Sequence, residues 1–294
     1  MTRSIQALAL LSRIIGGLLL VFLAGCSAVR LSYGNAPTLS YWWLDSFVDF
    51  NAAQTPPVRK SLDELQAWHR VSALPAYAET LRKMQRLAPH DVTPAQICGL
   101  SADIRSHLQQ LGAAAAAGIS AFVPTLQPQQ LQHLALQFDK RSLKWREDWL
   151  EVSPDKLKKR RLKQAVEQSE MLYSRLEDRQ LALLRSSIDK SGFDPQLMDR
   201  EIQRRQQDIL QVLKEHSGAE PARATHVRAE VLAVLERMRH SPDPVTRSYQ
   251  EKMSAEGCAT LAALHNSTSP AQRASALKTL QDYEADALAL AAEK

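Results

Sequence analysis

The sequence predicts an all-α fold, and three observations carry that prediction. Ala, Leu, Gln, Arg and Glu, all strong helix formers, dominate the composition, and glycine is held to 10 residues in 294. Long alternating Val/Ile/Thr runs, the mark of half-buried strands, are absent. A Ser, Thr or Asp followed by Pro recurs at Thr93-Pro94, Ser153-Pro154, Asp194-Pro195, Ser241-Pro242, Asp243-Pro244 and Ser269-Pro270. An N-cap oxygen accepts an orphan backbone N–H there, and proline at N1 loses nothing because its N–H would lack a partner anyway.

The first 25 residues stand apart from the fold. Arg3 and Arg13 supply a positive start, Ile14 to Leu23 an apolar run, and Ala24 and Gly25 small residues at its end, the order of a cleaved secretory signal. Roughly ten apolar residues are about half of what a membrane-spanning helix needs. Leu23-Ala24-Gly25-Cys26 resembles the lipobox of bacterial lipoproteins. The resemblance implies thioether lipidation of Cys26, cleavage before it and acylation of the new amino terminus. One acyl chain binds a bilayer marginally, at about 0.8 kcal/mol per buried methylene, so several on one residue make a lasting anchor. Ser27 rather than Asp follows Cys26, which by the sorting rule of such lipoproteins implies the outer membrane, facing the periplasm.

Helices are expected near 38–50, 61–71, 75–88, 94–122, 128–151, 154–190, 195–216, 221–240, 244–265 and 270–292. Gln96 and Gln272 stand at N3 and complete capping boxes with Thr93 and Ser269. The pairs Val92/Ile97, Val152/Leu157 and Phe193/Met198 have the spacing of hydrophobic staples. Leu131, Leu134, Phe138, Trp145 and Trp149 make an apolar stripe along 128–151; Leu162, Val166, Leu172, Tyr173 and Leu176 make another along 154–190. Gly112 to Gly118 offers a small-residue face for close helix packing. Short connections favour antiparallel neighbours, so a multi-helix bundle of helical hairpins is the expected assembly. The chain divides into the signal peptide at 1–25, a lipidated segment at 26–57 with an aromatic helix and the linker Asn51 to Pro57, and a helical domain at 58–294.

The run from Cys26 to Asp49 reads CSAVRLSYGNAPTLSYWWLDSFVD. Through Arg30, Leu31, Tyr33, Asn35, Ala36, Pro37, Leu39, Tyr41, Trp42, Trp43, Leu44, Asp45 and Asp49 it resembles an uncharacterised proteobacterial lipoprotein family, which implies an envelope location and no established activity. Read physically, Tyr33, Tyr41, Trp42 and Trp43 belong to an aromatic helix close to the lipid. Two readings stay open: a first core helix, or rings placed at the headgroup level or against a partner.

A second pattern recurs as apolar–cap–x–x–Gln: Val92 to Gln96, Leu126 to Gln130, Leu176 to Gln180 and Thr268 to Gln272. It is loosely similar to the L-T-x-x-Q signature of small helical envelope-stress proteins of the Spy and CpxP kind. That likeness implies an antiparallel helical cradle and ATP-independent client binding. Only Thr93 keeps the threonine, and such a pattern is also how ordinary helices begin.

Basic residues cluster at Lys140, Arg141, Lys144 and Arg146 and again at Lys156, Lys158, Lys159, Arg160, Arg161 and Lys163. They read either as a solvated face or as a contact for anionic headgroups and lipopolysaccharide phosphates. Net charge falls from +5 to +3 once Arg3 and Arg13 leave, too mild to point to nucleic acid. Besides Cys26, Cys98 and Cys258 form an even pair, which an oxidising compartment would bridge or leave as two buried thiols. The eight histidines are scattered without a second His or Cys at ligand spacing, and no nucleophile elbow, phosphate loop or dinucleotide fingerprint occurs. The expectation is a non-enzymatic, lipid-anchored periplasmic protein without metal or cofactor beyond the lipid on Cys26. It would bind protein clients in a chaperone-like way or, as the alternative, serve as a scaffold or assembly factor for lipopolysaccharide or an envelope complex.

Overall fold

A computed structural model of the chain describes residues 32–220 and 224–293; Cys26 and the signal segment lie outside them. Among the described residues the fold is all-α, without a strand. Eleven helices follow in order: α1 (Ala36–Val48), α2 (Thr55–Trp68), α3 (Leu74–Leu87), α4 (Pro94–Phe122), α5 (Pro128–Trp149), α6 (Pro154–Tyr173), α7 (Asp178–Lys190), α8 (Pro195–His216), α9 (Ala224–Arg239), α10 (Pro244–Asn266) and α11 (Pro270–Ala292).

The cap chemistry sets most boundaries. Thr93, Ser153, Asp194, Asp243 and Ser269 each accept backbone N–H groups of the helix they open, with proline in the first turn. Two boundaries differ from expectation. The helix expected over 154–190 is cut after Tyr173, where Ser174 takes φ 58° and Glu177 opens α7 as a new cap. The helices expected at 61–71 and 75–88 form one run from Thr55 to Leu87, joined through a π-helical turn, His69–Ala73. Pro75 lacks an N–H and its ring would clash with the carbonyl four residues back, at Val71; widening that turn relieves both without breaking the helix.

Residues 51–57, expected as linker, hold a fifth copy of the recurring helix start. Asn51 Oδ1 accepts from Gln54 N at 3.0 Å and Gln54 Oε1 accepts from Asn51 N at 3.1 Å. Four of the five glutamines then meet in two buried pairs. Gln54 and Gln130 exchange amide hydrogen bonds at 3.0 and 2.7 Å, and Gln180 and Gln272 do so at 2.7 and 2.9 Å. Each amide also donates to the backbone carbonyl five residues before its partner: Thr125 and Asp49 in the first pair, Ser267 and Arg175 in the second. Each oxygen still caps its own helix, at Asn51, Gln127, Glu177 and Ser269. One construction of two helix starts therefore occurs twice, once in each half of the chain.

The repeat extends beyond the turns. Phe47 and Tyr173, both buried, stand seven residues before Gln54 and Gln180. Ser142 and Glu284 stand twelve residues after Gln130 and Gln272, and each bridges to the other half: Ser142 on α5 to Gln206 on α8 at 3.0 Å, Glu284 on α11 to Arg82 on α3 at 2.6 Å. The halves thus clasp. Between the arms, α4 crosses α9 and α10, packing Ala116 and Val123 on Val227 and Val231 at one end. At the other end a Cys98–Cys258 disulfide joins α4 to α10, Cα to Cα 5.4 Å, within a cluster of Val92, Ile97 and Ala262.

Candidate functional site

A concavity lies between α6 and α10 with α7 as its floor, an open groove of about 800 Å³. One wall presents Ala165, Ser169 and Leu172, the other Met253, Gly257, Thr260 and Leu261, and Leu184, Ser187 and Ile188 form the base. From Arg161 to Tyr173 it follows α6 for roughly 18 Å, a little over three helical turns at 1.5 Å per residue. Its surface is chiefly apolar, with Gln164 and Gln168 on the rim.

Matching positions of the two halves differ at this groove. Gly118 and Thr260 stand twelve residues before Gln130 and Gln272, and Ser61 and Ser187 stand seven residues after Gln54 and Gln180. In the first half α2 and α4 close until a Cβ on Gly118 would lie 2.9 Å from Ser61 Cβ, a distance only glycine permits. In the second half Thr260 and Ser187 both line the groove. The matching positions touch in the first half and border the groove in the second, where α7 and α10 pack lower down through Leu184 and Leu264.

Each end of the groove is fixed by polar chemistry. At the α6 start Arg161 donates to Ser191 Oγ at 2.9 Å, and Ser191 Oγ donates to Glu256 Oε2 at 2.9 Å. The Arg161 guanidinium stacks over Phe193 at 4.6 Å, and Phe193 meets Trp149 edge-to-face at 6.1 Å. Burial lowers the Arg161 pKa from its ordinary value, with Tyr249 and Glu256 opposing. At the far end Tyr173 hydroxyl and His265 Nδ1 lie 2.9 Å apart, and His265 Nε2 lies 2.8 Å from the His90 carbonyl. Burial pushes the Tyr173 phenol up to about 12 and the His265 imidazole below its ordinary 6.5, although the His90 carbonyl favours the charged imidazolium. A neutral His265 donating to His90 and accepting from Tyr173 satisfies both contacts. Chemically the groove is an apolar trough with fixed ends.

The basic residues singled out in the sequence do not form one patch. Lys158 pairs with Asp189 at 2.7 Å, Arg160 with Asp148 at 2.9 Å, and Arg161 turns into the groove end. Lys156 and Lys159 are exposed, and Lys163 makes a loose i,i+4 pair with Glu167 at 3.7 Å. On α5, Arg146 binds Asp199 and Lys144 binds Asp148, while Arg141 lies over the Phe47 ring at 4.2 Å. The aromatic residues divide as well. Tyr33 packs against the Leu74–Leu290 cluster with its hydroxyl 2.9 Å from His69 Nδ1, and Tyr41 is buried with its hydroxyl 2.9 Å from Thr55 Oγ1. Trp42 and Trp43 are exposed. The aromatic helix itself is part of the packed body, with Phe47 against Phe138 and Phe50 against Phe122. Sequence reading missed the groove, because its walls come from helices about ninety residues apart; the one available signal was Thr260 standing where the first half has Gly118.

Among the described residues no cluster of three His, Cys, Asp or Glu side chains could hold a metal ion, and no helix is long and apolar enough to cross a membrane. The buried carboxylate Glu201 is held by structural partners, Arg204 at 2.8 Å, Arg205 at 2.7 Å and Ser241 at 3.2 Å. Burial alone would raise its pKa, but the two guanidinium groups outweigh that and keep it below the ordinary value. Neither a curated protein nor a solved structure matches the chain. A family model does match, over residues 46–232, a span that includes Gln54, Gln130 and Gln180 and ends before Gln272. On that match, which covers more than half of its length, the chain belongs to DUF6279, a family of unknown function.

Proposed function

We propose that this protein is a non-enzymatic, lipid-anchored client binder of the cell envelope. It would stand on the periplasmic face of the outer membrane and receive an amphipathic helical segment of another protein in the groove between α6 and α10. The observation that carries the reading is the open apolar trough of about 800 Å³ with helical length. Concave, largely apolar and preformed surfaces with a few placed polar groups are the usual form of a binding site. A helix laid in such a groove anchors through residues at i, i+3, i+4 and i+7. The amide rim of Gln164 and Gln168 suits the polar flank of such a segment without demanding one sequence. The lipobox at Cys26 and the oxidising compartment it implies support the location, and a Cys98–Cys258 bridge fits that compartment.

The scaffold reading, built on the basic helices, has less support, since Lys158, Arg160 and Arg161 are engaged within the protein.

The test is suppression of aggregation of a chemically unfolded client by the full chain, compared with Leu261→Glu. Leu261 is 38% exposed on the groove wall, so the carboxylate disturbs the trough and leaves the core intact. Suppression near one protein per client, reduced at least about fivefold by the substitution, is expected; that ratio corresponds to the roughly 1 kcal/mol that separates a buried leucine from a charge at a partly exposed contact. Wild-type protein that leaves aggregation unchanged, or Leu261→Glu that suppresses it equally, removes the groove from the function.

A further inference from the structure

The exposed indoles of α1 are not used by the groove. Leu39, Trp42 and Trp43 are 49, 60 and 55% exposed. Their spacing, i, i+3 and i+4, sets them on one stripe of the helix, opposite the side on which Tyr41 is buried, and the Trp43 ring leans on buried Phe47 one turn further along, centroids 4.9 Å apart. Two neighbouring indoles so exposed call for an occupant, because tryptophan contributes most when its ring is covered and its N–H stays wet. From the geometry we infer that this stripe docks on the phospholipid headgroup layer of the membrane that holds the Cys26 acyl chains, fixing the orientation of the helical body. The inference rests on the lipid anchor proposed above.

The tether commits the surface to lipid. Ser32 opens the described residues and stands six positions after Cys26. Six residues, even fully extended, reach about 20–22 Å. Ala36, where α1 starts, follows Ser32 by four residues, so the start of this helix, itself roughly 20 Å long, is tethered near the bilayer whatever path the intervening residues take. A segment tethered there can bring its exposed stripe to the interface, and the headgroup region is where amphipathic rings of Trp are favoured. Charge agrees with that assignment. The Arg141 guanidinium lies 5.8 Å from the Trp43 ring centroid, an arrangement that sets a cation for phosphate beside an indole for the acyl boundary.

Bromine quenching tests this directly. Full-length lipidated protein is reconstituted into phosphatidylethanolamine/phosphatidylglycerol vesicles with or without brominated acyl chains, and tryptophan fluorescence is compared for wild type, Trp42→Phe/Trp43→Phe and Trp68→Phe. The chain has five tryptophans, so the double substitution leaves three reporters in the body. Quenching by brominated lipid is expected in wild type, to fall at least twofold in the double variant and to persist in Trp68→Phe. Equal fractional quenching in wild type and the double variant, or none in wild type that floats with the vesicles, overturns the docking face and leaves the lipid anchor standing. Protein that neither carries labelled palmitate nor floats with the vesicles overturns both.

Discussion

Replacing Gln180 with Ala should cost about 3–4 kcal/mol of stability, far more than the same change at Gln96, although both glutamines stand at N3 of the same kind of helix start. Gln180 is wholly buried. Its oxygen caps Glu177 N at 2.8 Å, and loss of such a cap costs typically about 1 kcal/mol. Its amide donates to Gln272 Oε1 at 2.7 Å and to the Ser267 carbonyl at 3.2 Å. Alanine leaves the Ser267 carbonyl without that donor where water does not easily reach, at about 1–3 kcal/mol for a group left unsatisfied, while Gln272 Oε1 keeps only its bond from Ser269 N. Gln96 makes only its local box with Thr93, at 2.8 and 3.2 Å, and is exposed, so water replaces what is lost and the cost stays within about 1 kcal/mol. Urea unfolding followed by far-ultraviolet circular dichroism gives both numbers from the midpoint at constant slope. The double variant Gln180→Ala/Gln272→Ala should fall short of the sum of the singles, because one amide cannot be lost twice. Gln180→Ala costing no more than Gln96→Ala would refute the reasoning and reduce the buried pairs to ordinary caps.

Other outcomes follow from the same geometry. Opening the disulfide by Cys98→Ser/Cys258→Ser frees a loop of 160 residues, for which chain entropy alone gives a loss of about 5 kcal/mol, read as a lowered urea midpoint in the variant and in reduced wild type. Gly118→Ala should destabilise by about 1–3 kcal/mol, since its Cβ meets Ser61 Cβ at 2.9 Å, whereas Gly257→Ala has nothing within 4 Å and should stabilise by about 0.5–1 kcal/mol in the same assay. His265 has a folded pKa below its ordinary 6.5, so the unfolded chain takes up the proton first. Stability is therefore full above about pH 7 and falls, by at most about 1.4 kcal/mol per pH unit, as pH drops through 6.5 towards the folded value. His265→Gln should flatten that part of the profile, and an unchanged slope would assign it elsewhere.

The helices were legible in the sequence because their starts are local events. Thr93, Ser153, Asp194, Asp243 and Ser269 announce themselves with the proline that follows, and the helices they open begin at Pro94, Pro154, Pro195, Pro244 and Pro270. Asn51 announced nothing of the kind, since its box with Gln54 is followed by Thr55-Pro56-Pro57, which reads as a linker until the glutamine finds Gln130. Leu176 to Gln180 was visible as a recurring pattern, yet the apolar stripe through Leu172 and Leu176 ran across it and concealed the break at Ser174. A left-handed residue is set by where the chain must turn, and no residue type at that position demanded it. The groove was out of reach for a different reason. Its walls belong to helices distant along the sequence, and how they are spaced is a property of the packed body.

The two halves keep the costly parts of their common plan: buried amide pairs, caps and a clasping contact at Ser142 and Glu284. Buried polar networks of that kind fix one register, because every alternative leaves donors unpaired. A frame so specified could have closed both crossings, as Gly118 against Ser61 does in the first half. The second half instead has Thr260 and Ser187 on the groove lining, with Leu261 38% exposed on its wall and Ile188 half-buried. Apolar area left uncovered forgoes about 25 cal/mol for each Å² that closure would bury, so the exposed part of the groove is a local cost. On the proposed reading, a client helix would bury in the complex what the free protein leaves wet, and the rigid frame on either side would leave little ordering to be done when it arrives.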